Sequence, residues 1–473
     1  MRAATCGIRS LGRLSRLART ARRRRRRRAN ILCKKERTAI GHAVFGTDGI
    51  RGRANTQELN VLTAYSLGRA MKGTAGDKSV IIGRDTRISG DMLESAFVCG
   101  LLSAGADCLS CGIIPTPAVS CLIGKYGCGA GVVISASHNP AEYNGLKVFS
   151  GEGCKLSAAA ERALEREMRS MPEFTGDAVG RLHRASTAQE DYIEHILSCC
   201  RPDMTGKSVL IDGAFGAMYS CAPSAFERLG AEVTAVACAP DGGMINAGSG
   251  AASPHKAAHR SAAGRGGLAF CYDGDGDRLI AAENGILYDG DAVLYVLARY
   301  LKKNNRLNKN TVVATVMSNF GLELALNRAG ITLIRTAVGD RNVFDAMREQ
   351  NCNLGGEQSG HIVLTDYART GDGLLASVML CEVMEREGAT LGELCGDYAP
   401  APQVLLNVPC PNPAAAAGSV RLQQKISEIS AALAGFGRVF VRASGTEYKV
   451  RILAEGADIA ELKRITAELA ALV

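Results

Sequence analysis

The feature that most constrains the fold is a unit that recurs along the chain: an apolar run typical of a strand, a polar loop and a helix-like segment. It begins as "KSVIIGRDTRISG" followed by "DMLESAFVCGLLSAGA", and it returns as "GKSVLIDGAFGAM" and as "NTVVATVMSNFGLELALNRAGI". The helix-like segments carry apolar residues three and four apart, and glycine closes the first of them. Three units of one plan predict three α/β domains rather than one very large sheet.

The rest of the chain divides around these units. The chain has 473 residues, which is too long for one ordinary core. After the linker "YAPAPQ", the runs "VLLNV", "GRVFVRASG" and "YKVRILAEG" predict a smaller α+β tail. We therefore predict a basic disordered extension over 1–40 and domains over 41–190, 191–290, 291–400 and 401–473.

The net charge of +9 comes from the first 40 residues and not from the body of the chain. Residues 1–40 contain fifteen Lys and Arg and one acidic residue, whereas the remainder contains 41 basic and 46 acidic residues. The mildly acidic body predicts no nucleic-acid surface. Three interpretations of the extension stay open: a start codon placed too early, a disordered arm and a targeting segment. None of them gives the extension a part in the chemistry.

Cysteine content and hydropathy predict a cytoplasmic protein without a membrane span. Seventeen cysteines in 473 residues are too dilute for a secreted disulfide scaffold and favour a reducing compartment. The CxxC pair of Cys108 and Cys111 lies in a run typical of a buried strand, so we favour a structural interpretation over zinc or redox chemistry. No apolar run reaches the roughly 18 residues of a transmembrane helix.

An acidic loop follows the apolar run "LAFCY". The loop reads "DGDGDR": single glycines separate Asp273, Asp275 and Asp277, and Arg278 follows the last aspartate. Alternate residues of an extended backbone share a face, so the three carboxylates can converge on one point. Unpaired carboxylates at that spacing repel one another, and a hard divalent cation is the simplest remedy. We therefore predict a metal site here rather than a solvated acidic turn.

Two further loops carry weaker signals. In "GGEQSGHIVL", Glu357 and Ser359 offer an acceptor and a donor that suit sugar hydroxyls. In "VRASGTEYKVR", two arginines combine with hydroxyls and a glycine-freed backbone, which is chemistry suited to a phosphate dianion. A surface turn with incidental arginines is the alternative for that second loop.

These loops stand in a specific order with several others: "FGTDGIRG", "GRDTRISG", "SASHNP", "NGLK", "DGDGDR", "TAVGDR", "GEQSGH", "TGDG" and "RASGTE". The ordered set resembles the α-D-phosphohexomutase superfamily. The resemblance implies four domains around a central cleft, namely three similar α/β domains and a smaller C-terminal α+β domain. It also implies an isomerase that moves a phosphoryl group between positions 1 and 6 of a hexose through a phosphoserine and a 1,6-bisphosphate.

The resemblance assigns roles to individual residues. Ser137 aligns with the phosphoserine, and one Mg²⁺ per subunit would be held by Ser137 and the three aspartates. Arg51, His138, Lys147 and His361 match catalytic positions near the phosphoserine or the sugar, and Lys147 is favoured for proton transfer. Arg278 would brace the metal loop or a phosphate, and Glu357 and Ser359 would bind the sugar. The non-reacting phosphate would be held by Arg442, Ser444, Gly445, Thr446 and Arg451.

The variant "GEQSGH" favours an amino sugar as substrate. The expected reaction is the reversible conversion of glucosamine 6-phosphate to glucosamine 1-phosphate, which feeds UDP-N-acetylglucosamine and cell-wall precursors. Glucose or mannose phosphates remain the alternative substrates. The expected partner is a small sugar phosphate, with no nucleic acid or membrane, and the oligomeric state stays open between monomer and homodimer. A non-catalytic sugar-phosphate sensor, or an RNA-associated protein acting through the basic extension, is disfavoured by the intact Ser137 and aspartates.

Overall fold

The structure, a computed structural model, describes residues 45–46, 48–170, 178–263, 267–444 and 448–473. The predicted extension over 1–40 lies outside these residues, as do Gly445 and Thr446 of the predicted phosphate loop. The described residues form four sheets, three in α/β units and one in a smaller α+β unit. The predicted fold class is thereby confirmed.

The first sheet has six strands in the order β1-β5-β4-β2-β3-β6, in which only β5 runs antiparallel to its neighbours β1 and β4. Its strands are β1 Ile50–Arg53, β2 Val80–Arg84, β3 Cys108–Ile113, β4 Ala130–Ile134, β5 Tyr143–Ser150 and β6 Leu182–Arg184. Its helices are Val61–Ala75, Gly90–Ser103, Thr116–Lys125, Ala158–Met168 and Ala188–Cys199. The Cys108–Cys111 pair thus lies on a strand, as the structural interpretation requires.

The second sheet has the order β11-β10-β9-β7-β8 and the third the order β13-β12-β14-β15. The second comprises β7 Ser208–Asp212, β8 Glu232–Val236, β9 Leu268–Tyr272, β10 Leu279–Glu283 and β11 Ile286–Tyr288, with helices Met218–Arg228 and His255–Ala263. The third comprises β12 Thr311–Thr315, β13 Thr332–Thr336, β14 Leu354–Gly356 and β15 Ile362–Leu364. Its helices are Gly290–Lys303, Phe320–Arg328, Asp340–Gln350, Gly373–Glu387 and Leu391–Leu394, with a 3₁₀ turn at Asn308–Asn310.

The fourth sheet is a small antiparallel one in the order β16-β18-β17. Its strands are β16 Gln403–Pro409, β17 Gly437–Ala443 and β18 Lys449–Gly456, and its helices are Pro413–Ala417, Val420–Ala432 and Ile459–Ala470. This is the α+β tail that the sequence predicts after residue 400.

Each of the first three sheets contains a hairpin of the same kind. A strand of the parallel ladder is followed by an antiparallel partner: β4 by β5, β9 by β10, and β14 by β15. The loops of these hairpins span residues 135–142, 273–278 and 357–361. In the fourth sheet, the predicted phosphate loop connects β17 to β18. Every loop to which the sequence assigns chemistry is therefore the loop of a hairpin.

One apolar core runs through the first three sheets. Its buried residues extend from Ile81 on β2, through Phe270 on β9 and Val312 on β12, to Cys395. The fourth sheet has a separate core that includes Ile452 on β18. Three of the hairpin loops therefore stand on one shared core and the fourth on its own. Across the part of the chain that the structure describes, no helix has the length and hydropathy that a membrane crossing requires.

The helix Ala188–Cys199 joins the first unit to the third. Tyr192, buried in the shared core, donates a hydrogen bond of 2.8 Å to Asp372, whose carboxylate also caps the helix Gly373–Glu387 by accepting from the Leu375 amide. The boundary predicted near residue 190 falls inside this helix, so the domain limits stay a prediction.

Two helices of the first unit cross at a pair of glycines. A Cβ on Gly68 would lie 2.1 Å from the carbonyl oxygen of Phe97, and one on Gly100 would lie 2.1 Å from that of Tyr65. Helices Val61–Ala75 and Gly90–Ser103 can therefore approach this closely only because neither glycine has a side chain.

We expect Gly68→Ala to lower the free energy of unfolding by about 2 kcal/mol or more, because the opposing atom is a backbone oxygen that cannot rotate away. The matched control is Gly73→Ala on the same helix, where the nearest atom is a flexible carboxylate oxygen of Glu167 at 3.1 Å. That control should gain roughly 0.5–1 kcal/mol from the helix propensity of alanine. Urea unfolding followed by circular dichroism compares the two, and equal losses would contradict the prediction.

Asp372 predicts a pH dependence of stability. Burial raises the pKa of its carboxyl to about 6, although the hydrogen bonds from Leu375 and Tyr192 act in the opposite direction. In the unfolded chain the same group ionises near pH 4. Between these pH values the folded state binds more protons than the unfolded state, so the free energy of unfolding falls as the pH rises.

Asp372→Asn keeps an acceptor for the helix cap but cannot ionise. We expect it to be about 2–3 kcal/mol more stable than the parent protein at pH 7.5 and close to it at pH 4.5, from the pKa difference of roughly two units. Urea midpoints at the two pH values measure this. A change of the same size at both values would show that ionisation of Asp372 is not the cause.

Candidate active site

Three hairpin loops meet at Ser137 and the aspartates. Ser137 is buried, and its Oγ donates a hydrogen bond of 2.6 Å to Oδ2 of Asp273. The backbone of Ser137 has φ of 52°, in the left-handed region that non-glycine residues rarely occupy. Such backbone strain persists only where the surrounding structure holds it, and here it aims the hydroxyl at the aspartate loop.

A buried arginine holds the serine loop in this conformation. The guanidinium of Arg87 is fully buried and donates to the carbonyl oxygens of Ser137 and Asn139, both at 2.8 Å. The side chain of Asn246, from the second unit, donates to the same two carbonyls at 2.9 and 3.1 Å. Neither residue is among the predicted site residues, although Arg87 lies in "GRDTRISG".

The three aspartates converge as their spacing predicts. All three are buried, and ligand oxygens of Asp273, Asp275 and Asp277 lie within 4.8 Å of one another. Burial, and then the charges of Asp277 and Asp275, raise the pKa of Asp273 well above its ordinary value. Oδ1 of Asp275 and Oδ1 of Asp277 have no hydrogen-bond partner among the described residues. Buried carboxylate oxygens without a donor fit a hard divalent cation.

Lys147 provides the protein's own counter-charge to this cluster. Its Nζ lies 2.7 Å from Asp275, 3.1 Å from Asp277 and 3.3 Å from Asp48. Burial alone would lower the pKa of Lys147, but the three carboxylates together raise it well above its ordinary value. Burial would raise the pKa of the Asp275 carboxyl, but the charge of Lys147 and the hydrogen bonds from Lys147 and Thr116 lower it to about 2. Lys147 is therefore held as an ammonium.

Three more predicted residues surround the serine. His138 Nδ1 lies 3.4 Å from Ser137 Oγ, and burial, followed by the charges of Arg278 and Arg51, lowers its pKa to about 4. The imidazole is therefore neutral at pH 7. The amide of Arg278 donates to Asp273 at 3.3 Å, and the Arg278 guanidinium lies 3.9 Å from Asp277. Arg51 is ion-paired with Asp48.

The loop at 357–361 presents Glu357 and Ser359 side by side. Glu357 accepts from the Gly339 amide at 3.1 Å and from the Ser359 hydroxyl at 3.3 Å. Two backbone hydrogen bonds join this loop to the neighbouring segments, from Leu279 to Gly360 and from Gly290 to Gln358. The sugar-binding candidates are thereby fixed against the end of the aspartate loop.

His361 closes this third loop and is buried. A Cβ on Gly371 would lie 2.5 Å from the imidazole, so the glycine of the "TGDG" segment makes room for the ring. Neither ring nitrogen has a hydrogen-bond partner among the residues described, and Nε2 lies 3.8 Å from a carboxylate oxygen of Asp340. The ring is therefore positioned by packing and retains its hydrogen-bonding capacity.

The described residues that are predicted to bind the non-reacting phosphate lie on or next to the strands of the fourth sheet. Arg442 on β17 pairs directly with Arg451 on β18, so both side chains leave the same face. Burial, and then the charge of Arg451, lower the pKa of Arg442. The Ser444 amide donates to Lys449 and closes the described part of the hairpin. Two guanidiniums that leave one face are suited to bind an anion.

Comparisons with known proteins show which family this chain resembles. Models of the phosphoglucomutase/phosphomannomutase alpha/beta/alpha domains I and III match residues 42–173 and 289–401, and a model of the C-terminal domain matches 405–472. Phosphoglucosamine mutase of Clostridioides difficile (strain 630) is 43% identical over 440 residues, covering 91% of this chain and 98% of that protein.

Solved structures share the fold. A phosphoglucomutase/phosphomannomutase family protein from Burkholderia thailandensis has a TM-score of 0.75 at 23% identity, covering 90% of this chain and 96% of that one. Aspergillus fumigatus N-acetylphosphoglucosamine mutase in complex with GlcNAc-6P and magnesium has a TM-score of 0.56 at 18% identity, covering 76% and 92% of the two chains.

The approach of the aspartate loop to Ser137 generates a prediction. A Cβ on Gly274 would lie 2.6 Å from the carbonyl oxygen of Ser137 and 2.9 Å from the Asn246 side chain. We expect Gly274→Ala to push the two loops apart and to lower kcat by about 100-fold, since misplacement of reacting groups by an ångström has effects of that size.

The matched control is Gly124→Ala, where a Cβ would meet no atom within 4 Å. We expect this control to keep the kcat of the parent protein. Steady-state kinetics of both variants measure the difference in kcat. A Gly274→Ala variant with normal kcat would show that the close approach of the loops is unnecessary.

Proposed function

This chain belongs to the phosphoglucomutase/phosphomannomutase family, and on that premise we propose that it is a phosphoglucosamine mutase. It interconverts glucosamine 6-phosphate and glucosamine 1-phosphate. The observation that carries the chemistry is the buried Ser137 hydroxyl, 2.6 Å from Asp273 in a triad of aspartates. The amino-sugar substrate rests on the 43% identity to the C. difficile enzyme over nearly the full length of both chains.

The proposed reaction starts from a phosphorylated Ser137. The phosphoryl group passes to the free hydroxyl of the bound hexosamine phosphate, whose proton is removed, and the released Ser137 oxygen regains a proton. A 1,6-bisphosphate results. This intermediate then reorients in the cleft. Ser137 takes back the phosphoryl group from the other position, so that the serine is phosphorylated again at the end of the cycle.

The donor set fits Mg²⁺, because hard oxygen ligands and two buried oxygens without a protein partner are available. Asp273, Asp275, Asp277 and the Ser137 phosphate would hold one ion per subunit. When bound, the ion neutralises charge on the transferred phosphoryl group. The A. fumigatus relative was solved with magnesium, which supports the choice of this cation.

The chain's own groups supply the remaining functions. Lys147, held as an ammonium by Asp275 and Asp277, is suited to stabilise negative charge near Ser137, whereas its raised pKa makes it a poor proton donor at neutral pH. The neutral His138, with Nδ1 3.4 Å from the serine oxygen, is suited to accept one. We assign further catalytic roles to Arg51 and His361, and to Arg278 a role in bracing the aspartate loop.

Substrate binding is proposed to need two kinds of contact. Glu357 and Ser359 would bind sugar hydroxyls in both orientations of the intermediate, because each side chain offers more than one hydrogen-bonding site. The phosphate that does not react would be held by Arg442, Ser444, Gly445, Thr446 and Arg451. Two arginines that share one face support this assignment.

We further propose that the enzyme acts in the cytoplasm. The fifteen cysteines within the described residues are all free thiols, as expected in a reducing compartment. Its partner would be the sugar phosphate alone, and the choice between monomer and homodimer stays open.

The test is an isomerisation assay with the purified full chain, Mg²⁺ and a trace of glucose 1,6-bisphosphate. We expect turnover of glucosamine 6-phosphate to exceed that of glucose and mannose phosphates, and chelation of Mg²⁺ to abolish it until the ion is restored. Ser137→Ala should be inactive and should not incorporate phosphate, because the acceptor oxygen is gone.

Ser135→Ala is the matched control, since the Ser135 hydroxyl donates to Asp85 and accepts from the Ser137 amide, whereas the Ser137 hydroxyl itself donates to Asp273. It should still be phosphorylated, as measured by intact mass. Preference for neutral hexose phosphates would change the substrate to that of a phosphoglucomutase or phosphomannomutase. Full activity of Ser137→Ala would overturn the phosphoserine mechanism.

A further inference from the structure

A lysine outside the assigned site lies between two acidic residues of different units. Lys155, just after β5, forms ion pairs with Asp48 of the first unit and with Asp340 at the start of helix Asp340–Gln350. All three side chains are largely buried, with exposed fractions of 13% for Lys155 and Asp340 and 19% for Asp48. Asp340 belongs to the quoted "TAVGDR" segment, for which the proposed mechanism has no use.

This bridge continues at both ends to candidate catalytic residues. Asp48 lies 3.3 Å from the ammonium of Lys147, and Asp340 lies 3.8 Å from Nε2 of His361. The charges therefore alternate from Lys147 through Asp48 and Lys155 to Asp340, which lies beside the imidazole of His361. Lys147 belongs to the unit that carries the serine, and His361 to the unit that carries the sugar loop.

The members of the bridge stay charged at neutral pH. Burial alone would raise the pKa of Asp48, but Lys147, Lys155 and Arg51 hold it well below its ordinary value. Burial would likewise lower the pKa of Lys155, but Asp48 and Asp340 raise it. Removing one charge from a buried pair leaves the other without compensation, so each member constrains where its neighbours can lie.

We propose that Lys155 is a positioning residue that fixes Lys147 and His361 relative to one another by bridging Asp48 and Asp340. The inference rests on the proposed function. Lys155 acts through these carboxylates and is assigned no contact with the substrate. Its loss should therefore slow the chemical step more than it weakens substrate binding.

The same boundary supplies a matched control. Arg341, adjacent to Asp340, forms an ion pair with Glu161 on the helix Ala158–Met168. This pair also joins the first unit to the third and is similarly buried, with exposed side-chain fractions of 19% and 9%. Among the described residues, the side chain of Glu161 accepts hydrogen bonds from Arg341 and not from a candidate catalytic residue. Glu161→Gln therefore weakens the boundary without cutting the bridge.

The experiment compares Lys155→Met, Lys155→Arg and Glu161→Gln in the full-length enzyme with Mg²⁺. For Lys155→Met we expect kcat to fall about 30- to 100-fold and KM for glucosamine 6-phosphate to change by less than about threefold. Lys155→Arg keeps the charge and should recover most of kcat. Glu161→Gln should keep kcat within about twofold even where its thermal midpoint falls as far as that of Lys155→Met.

Hydrogen exchange gives a second readout that does not depend on activity. Amides of the loop at 357–361 should exchange faster in Lys155→Met than in the parent, and Glu161→Gln should leave them unchanged. Exchange at this loop that is unaltered in Lys155→Met would overturn the proposal whatever the enzyme's substrate proves to be.

The kinetic outcomes separate the remaining explanations. Equal losses of kcat in Lys155→Met and Glu161→Gln would contradict the positioning role and show that Lys155 only joins the first unit to the third. A raised KM with unchanged kcat would instead make Lys155 a substrate-binding residue. Inactivity of the parent enzyme on every hexose phosphate would contradict the proposed function, and the exchange experiment would still decide the positioning role.

Discussion

The structure depends on the burial of three like charges at the end of one strand. Asp273, Asp275 and Asp277 have almost no exposed surface, and three carboxylates this close together repel strongly in a medium of low polarity. A neighbouring hairpin compensates this repulsion: the ammonium of Lys147 is ion-paired with two of the carboxylates, and the hydroxyl of Ser137 donates a hydrogen bond to the third. The nucleophile, the counter-charge and the proposed metal ligands are thus parts of one electrostatic arrangement.

That arrangement is possible because one structural plan is used three times. Each of the three α/β sheets contains such a hairpin, and the three loops of different chemistry lie in one region. Glycines allow the backbones to approach: a Cβ on Gly274 would lie 2.6 Å from the carbonyl oxygen of Ser137, and one on Gly360 would lie 2.2 Å from that of Leu279. The many glycines of these loops are therefore a packing requirement between units, beyond their use in turns.

Features with a short period in sequence were predictable. The alternation of Asp273, Asp275 and Asp277 follows from the geometry of extended backbone, and the recurrent strand–loop–helix units gave the fold class. Arg87, Lys155 and Asp340 were missed because each is a single charged residue whose partners lie far along the chain, 185 positions apart for Lys155 and Asp340. The charge state of Lys147 was hidden for the same reason: burial was foreseeable, but the three carboxylates that outweigh it come from distant segments.

The division of the core matches two opposing demands of the proposed reaction. The centre around Ser137 has to stay rigid, and its three hairpins stand on one continuous apolar core that extends as far as Cys395. The bisphosphate has to be released and bound again during the cycle. The two arginines that would bind it, Arg442 and Arg451, lie on the fourth sheet, which has a separate core. Polar contacts such as that of Arg438 with the Ser318 carbonyl at 2.6 Å join the fourth unit to the third. Breaking such polar contacts costs little net free energy because water replaces them, whereas exposing an apolar core is costly. The fourth unit, with its arginine pair, can therefore move while the arrangement around Ser137 stays intact.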